Sequence, residues 1–100
     1  MWVEPADDTD DEFDEWYRKQ HLDMLGMVNG FRRSTRYKRV DGTPPRFLAC
    51  HEYDTTDLPV AQLKLVTGTE WSKKVLGDAK LFEKDLWKFL TAYGETQSKL

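Results

Sequence analysis

The sequence predicts an α+β fold, with one four-stranded antiparallel sheet and two helices on one face of that sheet. Three observations lead to this expectation. Apolar residues recur at helical spacing from Asp10 to about Leu25, two segments of β-favouring residues flank a Gly/Pro turn, and residues near the carboxyl end alternate in polarity. A chain of 100 residues is the size of one domain, which we place at residues 1–100.

The composition argues against several classes of protein. The net charge of -3 disfavours a surface that coats nucleic acid, and no apolar run approaches the ~20 residues that span a bilayer. The first ten residues lack the basic and apolar regions of a secretory signal, and the single cysteine, Cys50, cannot form an internal disulfide. No Cys/His cluster has the spacing of a zinc site. We therefore expect a cytoplasmic protein without a bound metal.

The first strand and the first helix are expected within residues 1–25. Residues 1–5 predict a short strand that ends at Pro5. Thr9 and Glu12 have the spacing of a capping box, and an acidic first turn suits the helix dipole. The apolar positions of this helix recur at offsets of three, four and seven: Phe13, Trp16, Tyr17, Met24 and Leu25. Gly26 or Gly30 is expected to end the helix.

A β-hairpin is expected next. Phe31 to Val40 is rich in β-favouring residues, Asp41 to Pro45 is a turn, and Arg46 to Asp54 predicts the following strand. Alternation places four side chains on one face of that strand. These are Phe47, Ala49, His51 and Tyr53.

The remaining elements are a second helix and a last strand. The helix is expected to begin near Pro59, because proline suits a first helical turn, and to reach about Val66. Gly68 interrupts it, and Trp71 to Leu76 predicts a further turn or two of helix. The last strand is predicted at Leu86 to Tyr93, where side chains alternate, and a helix is the alternative there.

The predicted order β-α-β-β-α-β is that of the ferredoxin-like fold. Its two helices cover one face of the sheet. We expect the other face to carry aromatic and apolar side chains of the third and fourth strands, and such a face is rarely left in water. The simplest cover is the same face of a second copy. The sequence therefore predicts a homodimer, a dimeric α/β barrel with a lined cavity in each half.

The first helix and the strand after it resemble the signature of the EthD family of dimeric α/β-barrel proteins. That signature is F-x-x-W-Y-x-x-x-H, followed by Gly-Phe and a basic strand that ends in Arg-Tyr. The matching residues are Phe13, Trp16, Tyr17, His21, Gly30, Phe31, Arg36 and Tyr37. The segments PPRFLACHEYD, TEWSKKVL and Leu81 to Tyr93 resemble the family's third strand, second helix and closing strand, so the resemblance covers nearly the whole chain.

The resemblance implies the dimeric barrel fold and an enzyme without a cofactor. Related barrels include polyketide cyclases, dehydratases and decarboxylases of microbial, especially fungal, secondary metabolism. The chain departs from the family pattern in three places. Gln20 stands where a glutamate usually precedes the histidine, Leu22-Asp23 stands where a proline usually follows, and the first strand is short, as in a chain whose start is missing.

His21 is the first candidate for acid–base chemistry. It lies one helical turn beyond Tyr17, so the two side chains should share a face of the helix. The carbonyls at the helix end favour a protonated imidazole and Asp23 could raise its pKa further, which would let His21 titrate near neutrality. In the family that the chain resembles, this histidine is the recurrent polar residue. The alternative is a partly buried histidine that caps carbonyl groups.

Three more side chains are candidate catalytic groups. The hydroxyls of Tyr17 and Tyr37 could donate to a substrate carbonyl or a developing enolate, or they could belong to core aromatics with tethered hydroxyls. His51 is a second acid–base candidate if its strand face lines the cavity, which we expect. It is a structural residue if that face packs on the helices.

The expected substrate-binding residues are mostly aromatic, and core packing is the alternative for each of them. They are Phe13, Trp16, Arg33, Phe47, Tyr53, Trp71 and Phe89. Alternation along the basic strand separates Arg33 from Arg36. One inward arginine could hold a substrate carboxylate or phenolate, and pairing with the acidic first helix is the alternative.

With the resemblance, these residues predict a cofactor-independent lyase or isomerase that cyclises, dehydrates or decarboxylates a hydrophobic, oxygenated, polyketide-like substrate. All three reactions develop an enolate-like charge that the same donors stabilise. The alternatives are a ligand-binding or stress-response barrel without catalysis, and a monooxygenase, either cofactor-free or with haem on His21 or His51. RNA binding is disfavoured, because RFLACHEYD lacks the aromatic ribonucleoprotein motif.

Overall fold

Four short strands form one antiparallel sheet in the computed structural model, which describes residues 1–94. They are β1 (Trp2–Glu4), β2 (Phe31–Lys38), β3 (Phe47–Tyr53) and β4 (Leu81–Glu83). The spatial order is β2-β3-β1-β4, so β1 lies between β3 and β4. The predicted α+β class and the antiparallel sheet are confirmed, and the strand order is compatible with the ferredoxin-like arrangement.

The first helix changes its hydrogen bonding part-way along. It begins as α1 (Asp10–Trp16), continues as a π-helical turn (Tyr17–His21) and ends as α2 (Leu22–Leu25). In the turn the N–H of Leu22 donates to the carbonyl of Tyr17, five residues back. The predicted helix from Asp10 to about Leu25, ended at Gly26, is confirmed.

The predicted capping box is wrong. Thr9 does occupy the N-cap position of α1, but its side chain makes no capping hydrogen bond. The hydroxyl of Thr9 instead donates to the carbonyl of Ala6 at 2.7 Å. This bond to the segment before the helix replaces the capping bond.

The second helical region consists of α3 (Val60–Thr67) and α4 (Glu70–Gly77), as the sequence predicts. Gly68 separates them, and a Cβ at this position would lie 2.8 Å from the carbonyl oxygen of Lys64. Thr69 begins α4 by accepting a 3.0 Å hydrogen bond from the backbone N–H of Ser72. None of the helices described in residues 1–94 has the length and hydrophobicity needed to span a bilayer.

The predicted last strand at Leu86 to Tyr93 is wrong. The fourth strand is β4 at Leu81–Glu83, and residues 84–94 have no regular secondary structure. Phe89 in this segment is 77% exposed. The physical reason lies in β1. Among residues 1–94, β4 pairs with β1 alone, and β1 spans three residues before Pro5, so no ladder in this part of the chain continues to pair with the alternating segment.

The helices pack on one face of the sheet and form two clusters of buried residues. The first cluster lies between α1, the π-helical turn, α4 and the sheet, and contains Val3, Phe13, Trp16, Tyr17, Ala49 and Val75. The second lies under α2 and α3 and contains Leu25, Val28 and Val66. Together the two clusters pack the first helix on β3 and β1.

The face of β3 that carries His51 packs on the helices, so the expectation that this face is the one left uncovered by them is wrong. Phe47 and Ala49 of this face line a cleft at its end, and His51 does not. Ala49 on this face is 3% exposed, and the ring of Phe47 lies 5.2 Å from that of Phe13. Leu48 and Cys50 alternate to the opposite face. The apolar face of the first helix packs on the more apolar set of β3 side chains, which places His51 beneath the helix.

Candidate functional site

Four aromatic side chains meet between the first helix and the sheet, and we call them the aromatic cluster: Trp16, Tyr17, His21 and His51. The His21 ring stacks on Trp16 with centroids 4.3 Å apart and meets the edge of Tyr17 at 5.0 Å. The His51 ring lies 5.7 Å from that of His21. Tyr17 and His21 therefore share a face of the helix, as predicted, and they form the two ends of the π-helical turn.

A chain of hydrogen bonds runs through the cluster from Ser34 to Tyr17. Ser34 Oγ lies 2.7 Å from Nδ1 of His51, and Tyr17 Oη lies 3.3 Å from its Nε2. In one tautomer Ser34 donates to Nδ1 while Nε2–H donates to the tyrosine oxygen; in the other tautomer both bonds reverse. In the first tautomer the Tyr17 hydroxyl donates to another acceptor, and the structure provides Met1 Sδ at 3.9 Å.

His21 lies too deep to titrate near neutrality. It is 3% exposed, and within residues 1–94 its Nδ1 has no hydrogen-bond partner. Burial, followed by the positive charge of His51 when protonated and by that of Arg36, lowers its pKa to about 3. The expected rise in pKa is therefore wrong, because the cost of burying a charged imidazole outweighs any effect of the helix end. Asp23, which was expected to raise the pKa, is exposed.

The members of the hydrogen-bond chain, Ser34, His51 and Tyr17, are also neutral at pH 7. Burial lowers the pKa of His51 to about 4, and the amino terminus adds to this effect. Burial raises the pKa of Tyr17, opposed by the charge of Arg36. The chain is thus a sequence of neutral donors and acceptors, with Tyr17 fully protonated.

A cleft of about 220 Å³ opens beside the cluster, and Tyr17 is the cluster residue that lines it. Its apolar wall is formed by Val3, Phe13, Phe47 and Ala49, together with Met1 and Leu48. Its polar and charged lining is formed by Asp14, Arg36, Tyr37 and Lys38. Tyr17, which is 1% exposed, therefore lies between the part-buried hydrogen-bond chain and a space that a small molecule can enter.

Arg36 is the arginine that faces the cleft. Its guanidinium carbon lies 4.2 Å from the centre of the Tyr17 ring, and its Nη1 donates to Asp14 Oδ1 at 3.0 Å. Asp14 Oδ2 also accepts from Arg18 at 2.7 Å, and these bonds, Arg18 first, lower the pKa of Asp14. The sequence predicts Arg33 at this place, but alternation along β2 puts Arg33 on the opposite face of the sheet from Arg36.

The structure brings together many of the predicted site residues. Tyr17, Phe13 and Phe47 line the cleft, and Trp16, His21 and His51 lie behind Tyr17. Tyr37 also lines the cleft, but it is 55% exposed and its register with Leu48 directs its side chain to the face opposite Arg36.

Four predicted site residues lie elsewhere. Arg33 is on the opposite face of the sheet, where its Nε donates to Glu52. Tyr53 meets Phe31 edge-on in the second buried cluster, and Trp71 packs against the first. Phe89 lies in the irregular segment after β4. Tyr53, Trp71 and Phe89 therefore do not line the cleft.

Two polar residues that hold the cluster, the buried Ser72 and the half-buried Gln20, are not among the site residues that the sequence predicts. Ser72 Oγ accepts a 3.0 Å bond from the indole Nε1 of Trp16 and donates to the carbonyl of Val66. Gln20 accepts from the hydroxyl of Thr69 at 2.7 Å, so the residue that departs from the family pattern joins the first helix to the start of α4. Because Ser72 and Gln20 lie 52 residues apart, no local pattern links them.

Comparisons of the chain with known proteins found no match. No family model matches it, and no curated protein and no solved structure matches it either. Within the described residues 1–94, no three His, Cys, Asp or Glu side chains are placed to hold a metal ion. What the protein does is therefore argued from the side chains of the cleft.

Proposed function

We propose that the protein is a small enzyme that acts without a cofactor on an apolar carbonyl compound bound in the cleft. The observation that carries this proposal is the position of Tyr17, whose hydroxyl lies 3.3 Å from His51 Nε2 and whose side chain lines the cleft. A neutral, fully protonated phenol is a suitable donor to a developing oxyanion.

The proposed chemistry is enolisation. Tyr17 donates a hydrogen bond to the carbonyl oxygen as negative charge develops there, and water in the cleft takes the α-proton and later returns a proton to the enolate. The Tyr17 proton is not transferred. His51 Nε2–H donates a hydrogen bond to the tyrosine oxygen and the Ser34 hydroxyl donates one to Nδ1, which orients the phenol. Cyclisation, dehydration and decarboxylation share this enolate-like charge, so the same donor serves all three.

His21 keeps a proposed part in this chemistry as a neutral group. Its ring lies edge to face with Tyr17, and burial keeps it uncharged. An uncharged imidazole behind the phenol leaves Tyr17 free of a nearby positive charge from that side, which preserves its protonated form. The acid–base role that the sequence predicts for His21 stays a prediction.

Exchange of α-hydrogen for deuterium tests the proposal. The probe is 2-tetralone, a bicyclic ketone, and the loss of its C1 proton signal in deuterated buffer is followed by NMR. The wild-type protein is expected to speed this exchange. Tyr17→Phe is expected to lower the enzyme-dependent rate by about 10²-fold or more, the usual cost of losing one donor to an oxyanion.

Tyr53→Phe is the matched control, because it removes a phenolic hydroxyl from a half-buried ring that packs on Phe31, outside the cleft. It is expected to leave the exchange rate unchanged. Circular dichroism of both variants verifies the fold. Equal exchange by the wild-type protein and Tyr17→Phe contradicts the proposed function.

A second candidate function is ligand binding without turnover. The observation that favours it is the low pKa of both histidines, about 3 for His21 and about 4 for His51, which makes each a weak base. A binding protein would shift its amide resonances on titration with 2-tetralone while leaving the exchange rate at the level of buffer alone.

We further propose that the chain adopts the ferredoxin-like form of the EthD family and pairs with a second copy. The strand order β2-β3-β1-β4 supports the fold, and the exposed apolar side chains of residues 86–93 support a covered surface. Sedimentation velocity is expected to show a dimer. A monomer at all concentrations would refute the pairing and leave the chemistry of the cleft to be tested as above.

A further inference from the structure

The cleft is the most positively charged part of the candidate site, although the whole chain carries a net charge of -3. Three charged side chains line it: Asp14, Arg36 and Lys38. Their formal charges sum to +1. An apolar pocket with a net positive rim attracts a ligand that joins an apolar body to a negative group.

Asp14 does not cancel the positive charge of the rim. Its carboxylate is shared between Arg18, 2.7 Å from Oδ2, and Arg36, 3.0 Å from Oδ1. The bond from Arg36 Nη1 uses one of the five N–H donors of the guanidinium. Because two arginines share this one carboxylate, Arg18, Arg36 and Asp14 together keep a net charge of +1 beside the cleft.

Arg36 is held in place before any ligand binds. Its guanidinium carbon lies 4.2 Å from the centre of the Tyr17 ring and 5.8 Å from that of Phe13, and its side chain is 26% exposed. A guanidinium stacked on two aromatic rings has lost much of its conformational freedom, so binding an anion costs it little further entropy. Its planar fork matches a carboxylate.

Lys38 supplies the second cation. It alternates to the same face of β2 as Arg36, and its Nζ lies 5.8 Å from the centre of the Phe47 ring, which also lines the cleft. The two cations are two residues apart on one strand, at about 7 Å spacing along the backbone. A carboxylate at the rim can contact both while an aromatic body covers Phe13 and Phe47.

We propose that the cleft selects aromatic or polycyclic carboxylates, with Arg36 and Lys38 binding the carboxylate and the apolar wall binding the rings. This inference rests on the proposed function, since it names the substrate class of the same cleft. It places the reacting carbonyl beside Tyr17, whose ring Arg36 covers. Arg36 and Lys38 thereby determine specificity, and Tyr17 acts on the carbonyl.

A pair of ligands that differ in charge tests this proposal. The probes are 2-naphthoate and its neutral amide, 2-naphthamide, titrated at low salt and followed by the amide resonances of the ¹⁵N-labelled protein. The wild-type protein is expected to bind the carboxylate at least about tenfold more tightly than the amide, the usual strength of a charge-assisted pair. Added salt should reduce this preference.

Three variants assign the preference to residues. Arg36→Gln should abolish the preference, and Lys38→Gln should reduce it about threefold or more while leaving the affinity for the amide unchanged. Lys64→Gln removes the same charge from an exposed position outside the cleft and should leave both affinities unchanged. If Arg36→Gln does not fold, the proposal is tested by the affinities of the wild-type protein and of Lys38→Gln for the two probes.

Equal affinity of the wild-type protein for the two probes, or binding of neither, overturns the proposal, as does a preference that survives in both cleft variants. Its failure is separable from that of the proposed function because 2-tetralone is uncharged. Tyr17-dependent exchange of 2-tetralone without a carboxylate preference refutes the selectivity alone. A carboxylate preference without exchange refutes the enzymatic function alone.

Discussion

The imidazole of His21 stacks on the indole of Trp16 with ring centroids 4.3 Å apart and an angle of 25° between the planes. Stacking places the histidine in the first buried cluster, where its Nδ1 has no partner among residues 1–94. An unsatisfied buried polar atom costs about 1–3 kcal/mol. The unpaired Nδ1 of His21 therefore lowers the stability of the fold within the aromatic cluster, next to Tyr17.

Stability is expected to fall as the pH drops from about 7.5 to about 5. The unfolded histidines bind protons below their ordinary pKa of 6.5, whereas burial keeps His21 and His51 neutral in the folded state down to about 3 and about 4. The unfolded state therefore gains protons first and is favoured. Each histidine should cost up to about 2 kcal/mol over this range, measured by urea denaturation.

His21→Phe should reduce this pH dependence without removing it, because His51 and the amino terminus, whose pKa values burial also lowers, still take up protons on unfolding. The carboxylates whose pKa values are lowered, such as Glu4, lose their contribution only below their ordinary value of 4.5, so they do not interfere near pH 5. If the wild-type protein and His21→Phe show the same pH dependence, His21 is not buried in its neutral form.

Ser72→Ala should destabilise the fold by about 1–3 kcal/mol. Ser72 is fully buried, and its loss leaves the indole Nε1 of Trp16 without the acceptor that it now has at 3.0 Å. Thr67→Ala removes a hydroxyl from an exposed position at the end of α3 and should change stability by less than about 0.5 kcal/mol. Equal free energies of unfolding for the two variants would show that the indole bond contributes nothing.

Arg46→Met should cost about 3 kcal/mol at neutral pH. Its guanidinium bonds to Glu4, whose side chain is 10% exposed, at 2.8 Å and to Asp10 at 2.8 Å, and the substitution leaves a nearly buried carboxylate without its cation. Hydrogen bonds from Arg46 lower the pKa of Glu4. That contribution is present above pH 4.5 and is lost as the pH falls, so the deficit of the variant should shrink in acid.

Arg32→Met is the matched control for this substitution. It removes a cation whose 3.2 Å pair with Asp54 joins side chains that are 67% and 61% exposed, and such pairs contribute less than about 1 kcal/mol. Guanidinium chloride is unsuitable for this comparison because it screens the charges, so urea is used. A cost for Arg46→Met as small as that for Arg32→Met would mean that Glu4 is solvated.

Elements with a local signal were predictable. The helix from Asp10 to Leu25 followed from apolar periodicity, the hairpin from β-favouring segments around a turn, and the break at Gly68 from a single glycine. These patterns depend on residues a few positions apart, which are neighbours in space whatever the rest of the chain does. The pairing of Tyr17 with His21 is of the same kind.

The composition of the site depended on contacts between distant segments. Alternation divides β2 and β3 into two faces, but it does not say which face meets the helices. The sequence therefore predicts Arg33 as a substrate-binding residue, whereas Arg36 lines the cleft. The alternating segment after β4 had a strand pattern and no strand to pair with. His21 lies near a helix end in sequence, but its burial against the sheet decides its pKa and lowers it. Desolvation depends on every segment packed around a side chain, and a local pattern does not contain that information.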